Sequence, residues 1–123
     1  MKGLIIDTSS DVAYVAVASD GKIIHLQTLP DARQLSKFLL PSIASAWQSF
    51  DYIAIGIGPG SFTGTRIGLI TAKTLAFALS IPLLSFSSEL LPDLDQIAEE
   101  VHKNFTLNKI PSQIELVYFP STT

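Results

Sequence analysis

Tyr52-Ile53-Ala54-Ile55-Gly56-Ile57-Gly58-Pro59-Gly60-Ser61-Phe62-Thr63-Gly64, running on through Thr65-Arg66-Ile67-Gly68 to Leu79, is the stretch whose reading decides the fold. Tyr52 to Ile57 is a short apolar run of the kind a buried strand carries, and the glycines and proline after it punctuate a loop. Thr65 to Leu79 then has helical character, so strand, glycine loop and helix follow in succession.

Upstream, Lys2 to Asp7 and Val12 to Ala18 read as strands, the second rich in β-branched residues. Ser19-Asp20-Gly21-Lys22 supplies the Asp-Gly pair of a tight hairpin turn, and Ile23 to Leu29 makes a third strand. Apolar residues at Leu35, Leu39, Ile43 and Trp47 predict a helix over Gln34 to Gln48, with Pro41 as an interior blemish that kinks it or marks a later start. Downstream, Ile81 to Phe86 reads as a fifth strand, Pro92 to Asn104 as an amphipathic helix with early acidic residues, and Ile114 to Phe119 as a further strand. This order predicts an α/β fold: a mixed sheet, three antiparallel strands then parallel ones, with helices on its faces. It matches the ribonuclease H-like and actin-like group of folds, which by itself says nothing about function. Residues 1–88 are expected to form that lobe, and residues 89–123 a helix and short tail that belong to the same domain or are the remnant of a second lobe.

The chain has 123 residues, enough for one core that buries roughly two thirds of the unfolded surface. Apolar residues make up 47% and charged residues 15%, against about 25% charged in an average chain, so an apolar face is either hidden or kept for a partner. A net charge of −3 without a Lys or Arg cluster speaks against direct binding of nucleic acid. There is no cysteine, hence no disulfide framework and no thiolate site. The start of the chain does not read as a signal peptide and no run reaches membrane-spanning length, so the expected location is the cytoplasm.

Asp7-Thr8-Ser9-Ser10 closes the first strand, where sheets of this kind gather ligands, so Asp7 is a candidate to hold a metal or a phosphate-bound water. A plain turn capped by its own side chains is the competing reading. The five glycines from Gly56 to Gly68 have two readings as well. Backbone amides at a helix start can cradle an anion, yet the segment lacks the Gly-Lys-Ser/Thr of a P-loop and the third glycine of a dinucleotide fingerprint. The spacing favours close packing, with Ser61 or Thr63 as helix cap and Gly64 and Gly68 letting backbones approach. His25 and His102 have no neighbours at metal-ligand spacing, and no serine sits in a Gly-x-Ser-x-Gly context. A metal-dependent nuclease or a phosphotransferase of this fold group needs converging carboxylates or a second closing lobe; only Asp7 qualifies. No metal and no cofactor are expected.

Both main helices carry more apolar surface than one stripe requires. Leu35, Phe38, Leu39, Leu40, Ile43, Ala44 and Trp47 spread over more than half of the first. Arg66 and Lys73 alone interrupt Ile67, Leu69, Ile70, Ala72, Leu75, Ala76, Phe77 and Leu79 on the second.

Met1 to Ser10, Leu39-Leu40-Pro41 and above all Gly58 to Gly68, with Ala72-Lys73 and Leu75-Ala76, resemble the TsaB/YeaZ family over roughly residues 1–88. The resemblance implies an actin-like lobe that acts as a non-catalytic scaffold in tRNA threonylcarbamoyladenosine biosynthesis, beside a TsaD-type catalytic paralogue and a TsaE-type ATPase. It implies a glycine-loop motif at Gly58, Pro59, Gly60, Ser61, Phe62, Thr63, Gly64, Arg66 and Gly68, and a vestigial phosphate loop at Asp7, Thr8 and Ser9. It also implies assembly through the two helices, at Leu35, Leu39, Leu40, Ile43, Ile67, Ile70, Thr71 and Thr74, with the partner or in a homodimer. The chain departs from the family pattern in having Leu35 where members have His, in a shorter connection before the fourth strand, and in a missing second lobe, of which Glu115 to Phe119 is the trace.

Overall fold

The structure, a computed structural model, describes residues 1–10, 12–29, 35–60, 62–90 and 93–110. Five strands form one sheet: β1 (Lys2–Asp7), β2 (Ala13–Ser19), β3 (Lys22–Leu29), β4 (Tyr52–Gly56) and β5 (Leu83–Phe86). Their order is β3-β2-β1-β4-β5, with β3, β2 and β1 antiparallel and β1, β4 and β5 parallel. The β2–β3 hairpin turns on Asp20 and Gly21, both with positive φ, as the Asp-Gly pair requires. Three helices complete the fold: α1 (Leu35–Ser45), α2 (Phe62–Leu79) and α3 (Leu94–Thr106), with a short 3-10 turn at Ser88–Leu90.

Because helices lie on both faces, the central strands are apolar on both sides instead of alternating. Leu4, Ile6, Val15, Val17, Ile53 and Ile55 pack under Leu35, Leu39 and Ile43 of α1 and Ala72 and Ala76 of α2. On the opposite face Ile5, Tyr14, Ala16, Tyr52, Ala54, Leu84 and Phe86 meet Ile97, Ala98 and Val101 of α3. Residues 94–106 thus share the sheet's core with the residues before 88.

Helix ends differ from the sequence reading for local reasons. α1 closes at Ser45, not Gln48, since Trp47 N–H turns back to the Ala44 carbonyl in a tightened last turn. Pro41 lies inside α1. α2 starts at Phe62 instead of Thr65 and takes Gly64 into its first turn, so Thr63 is helical and not a cap; Ser61 lies outside the described residues. α3 is displaced two residues along the chain because Asp93 caps it, accepting the Gln96 N–H at 3.1 Å. The strand expected at Ile114–Phe119 lies outside the described residues.

Candidate functional site at the Asp7 turn

β1, the central strand, delivers Asp7 to the end of the sheet between Tyr14 of β2, its partner in the antiparallel ladder, and the end of β4. The carboxylate is 1% exposed. Its Oδ1 accepts the Ser9 N–H at 2.9 Å and the Ser9 hydroxyl at 2.6 Å. Ser9 Oγ also stands 2.9 Å from Ser88 Oγ, and Ser88 Oγ accepts the Gly58 N–H at 3.0 Å. A hydroxyl has one proton and a carboxylate can only accept, which fixes the direction of the chain. Gly58 N–H donates to Ser88, Ser88 O–H to Ser9, and Ser9 O–H to Asp7. Ser88 N–H returns a bond to the Gly58 carbonyl at 3.0 Å, and Gly58 itself takes the left-handed φ of 93°.

Three glycines of the Gly56–Gly68 segment are seats for this turn. A methyl group on Gly56 would stand 2.4 Å from Asp7 Cγ, one on Gly60 2.3 Å from Ser9 Cβ, and one on Gly68 2.2 Å from Thr8 Oγ1. Thr8 Oγ1 donates to the Gly64 carbonyl at 2.5 Å, which ties the turn to the first turn of α2. Of Gly64 and Gly68, where close approach is expected from the sequence, Gly68 shows it, and what approaches there, as at Gly56 and Gly60, is the Asp7-Thr8-Ser9 turn. The Ser9 and Gly58 amides and the Thr8, Ser9 and Ser88 hydroxyls all serve groups of the chain itself. As arranged, these donors do not face an external anion.

At this turn two buried polar atoms have no hydrogen-bond partner among the described residues, Asp7 Oδ2 and Tyr14 Oη, on cross-strand neighbours. Burial, and after it the charge of Asp7, pushes the Tyr14 phenol far above its ordinary value. Among the described residues no group of three or more His, Cys, Asp or Glu side chains is placed to hold a metal ion, at Asp7 or elsewhere. His25 is exposed on β3, and His102 packs on Gly21, neither near the turn. Ser88 and Tyr14 were not legible as site residues: a serine after a short strand carries no periodicity, and the pairing of Tyr14 with Asp7 depends on the exact length of the β1–β2 connection.

The residues expected on a partner face separate into two groups. Leu35, Leu39 and Ile43 are each 2% exposed and belong to the protein's own core, which corrects their assignment to a surface. Ile67 is half-buried against that core, and half-buried Thr71 donates to the Ile67 carbonyl. Leu40 and Ile70 are exposed by 58% and 60%, Thr74 is exposed, and Phe77 is exposed by 89%. Ile70, Thr74 and Phe77 are spaced 4 and 3 residues apart and share one side of α2, with Arg66 and Lys73, seven residues apart, together along one border of it.

Among described helices none is long and apolar enough to cross a membrane. A family model described as "TsaD: tRNA N6-adenosine threonylcarbamoyltransferase" matches residues 25–90, more than half of the chain, including the whole glycine motif. The chain is 33% identical over 124 residues to the tRNA threonylcarbamoyladenosine biosynthesis protein TsaB of Haemophilus influenzae, covering 94% of this chain and 51% of that one. The chain belongs to this family, within its TsaB/YeaZ branch. TsaB of Bacillus subtilis is 35% identical over 92 residues, covering 69% of this chain and 40% of its own length. The solved structure of YeaZ from Pseudomonas aeruginosa superposes with a TM-score of 0.55 at 35% identity, over 71% of this chain and 45% of that one. An actin-like, ribonuclease H-like lobe is thus common to this chain and YeaZ. The chain spans about half the length or less of the TsaB relatives it matches.

Proposed function

We propose that this chain is a non-catalytic scaffold subunit in tRNA threonylcarbamoyladenosine biosynthesis, which binds a TsaD-type catalytic partner through the outward side of α1 and α2. The carrying observation is the exposed apolar set Leu40, Ile70 and Phe77 on two helices whose inner sides already fill a core. A helix needs one apolar stripe to pack on its sheet, and a second is the signature of a surface made to be covered. The closed Asp7 turn is consistent with a scaffold role: its donors are committed to groups of the chain itself. A TsaE-type ATPase completes the proposed assembly, with homodimerisation as the free state of the same helices, no direct contact with nucleic acid and a cytoplasmic location.

The experiment is a binding titration of this chain with the TsaD-type protein of the same organism, using Ile70→Asp as the disabling variant. Micromolar or tighter binding that Ile70→Asp weakens by about 30-fold or more supports the reading. No binding, or binding that ignores Ile70→Asp in a folded protein, removes it.

A further inference from the structure

We infer that Ser88 is a positioning residue that seats α2, acting from the far end of β5 through the Asp7-Thr8-Ser9 turn. The inference rests on the partner face proposed above and explains what holds that face in place. Ser88 is 8% exposed and touches the face nowhere; its hydroxyl links two segments that converge at the end of the sheet. On one side it accepts the Gly58 N–H while its own N–H bonds the Gly58 carbonyl, a reciprocal clasp on the residue that opens the loop into α2. On the other it donates to Ser9, whose hydroxyl and amide both end on Asp7.

The turn so fixed presents Thr8 to α2 at two points, by the hydrogen bond to the Gly64 carbonyl and by contact with Gly68. Gly64 and Gly68 lie on the first two turns of α2, directly before Ile70, Thr74 and Phe77. Helix position along the sheet is therefore set by a polar chain running from Gly58 to Asp7, and not by apolar packing alone, which tolerates sliding more readily than a hydrogen bond with fixed geometry. The Ser88 hydroxyl joins the clasp on Gly58 to the turn that carries Thr8. Loss of its hydroxyl leaves Ser9 and Gly58 each short of a partner and lets α2 sample displaced seats, so partner affinity falls by the fraction of time the face is out of place.

The test uses Ser88→Ala, Ser88→Thr, Ser9→Ala, the double variant Ser9→Ala/Ser88→Ala and the control Ile70→Asp in the full chain. Affinity for the TsaD-type protein is measured at 10 °C, where each variant is first shown to be folded, and amide exchange is followed at Gly64 to Gly68. Expected are an affinity about 5-fold weaker for Ser88→Ala, within about 2-fold of wild type for Ser88→Thr, and no further loss on combining Ser9→Ala with Ser88→Ala. Exchange at Gly64 to Gly68 should accelerate in Ser88→Ala and not in Ser88→Thr. A merely structural serine lowers the melting temperature and leaves affinity and exchange at 10 °C unchanged, and that result overturns the inference. Should Ser88→Ala fail to fold, Ser9→Ala cuts the same relay and decides in its place. If Ile70→Asp binds like wild type, the partner-face reading falls, and the exchange data alone decide Ser88: faster exchange supports the seating role and unchanged exchange refutes it.

Discussion

Thr8 and Gly68 meet so closely that a single methyl group on Gly68 would stand 2.2 Å from Thr8 Oγ1, on a helix whose first turn the same oxygen holds through the Gly64 carbonyl. Gly68→Ala accordingly sets two effects against each other. Alanine gains about 1 kcal/mol of helix propensity over glycine, while the clash displaces Thr8 and loses its hydrogen bond. Since Ile55 Cδ1 also lies 3.2 Å from the added methyl, the clash wins, and a net loss of about 1 kcal/mol or more is expected in urea unfolding.

Gly56→Ala is expected to cost more, about 2–3 kcal/mol. The added methyl would meet the Asp7 carboxyl at 2.4–2.7 Å, and that carboxyl is held by two bonds from Ser9. If Gly56→Ala proves milder than Gly68→Ala in the same urea series, the turn is not the rigid element described.

Replacing Asp7 separates shape from charge. In Asp7→Asn the side-chain oxygen still accepts both Ser9 donors, and the new amide group takes the place of an oxygen that has no hydrogen-bond partner. Stability within about 1 kcal/mol of wild type is expected, whereas Asp7→Ala strands the Ser9 donors and should lose about 1–3 kcal/mol. Tyr14 should titrate lower in Asp7→Asn than in wild type yet still above an ordinary tyrosine, because burial is the larger cause of its rise. Absorbance at alkaline pH reads both.

Tyr52 gives a pH window. Its phenol is pushed up to about 12, by burial first and then by Asp51 and Asp20. A folded value above the unfolded value of about 10 means the folded state holds the proton more tightly. That contribution is fully present below pH 10 and is lost as pH rises toward 12, amounting to roughly 2–3 kcal/mol. Tyr52→Phe should remove that part of the alkaline decline while leaving stability at pH 7 little changed, since the buried hydroxyl has no hydrogen-bond partner to lose. Urea midpoints at pH 8 and pH 11 for both proteins check it.

Leu39 and Ile70 should behave as opposites. Leu39→Ala opens a cavity in the core and costs about 2–5 kcal/mol, while Ile70→Asp on the exposed face leaves thermal stability nearly unchanged. Two equally destabilising substitutions would place Ile70 in internal packing.

The order of strands and helices was legible because each carries its own local signal: Asp20-Gly21 for the hairpin, glycine punctuation after β4, a 3.6-residue period in the helices. What failed was local competition at the ends. Nothing near Phe62 announced that α2 starts there, because the bond that secures Gly64 comes from Thr8, 56 residues away. Apolar content also could not separate Leu39 from Leu40, adjacent residues of which one fills the core and the other faces outward, until the sheet beneath α1 defined a direction. The site suffered the same limit, since Ser88 acquires its role only when β5 brings it beside Gly58. Family resemblance pointed to the glycine motif, and the Asp7-Thr8-Ser9 turn gives the reason for two of its glycines, Gly60 and Gly68, and for Gly56 just before it.

The most direct measurement is reconstitution of tRNA threonylcarbamoylation from the TsaD-type and TsaE-type proteins of the same organism, supplied with ATP and an activated threonylcarbamoyl donor, with and without this chain, scored by modified nucleoside per tRNA. The scaffold account predicts formation that depends on the chain, persists with Asp7→Asn and collapses with Ile70→Asp. Equal modification in its absence, or activity of the isolated chain that vanishes in Asp7→Asn, would contradict it.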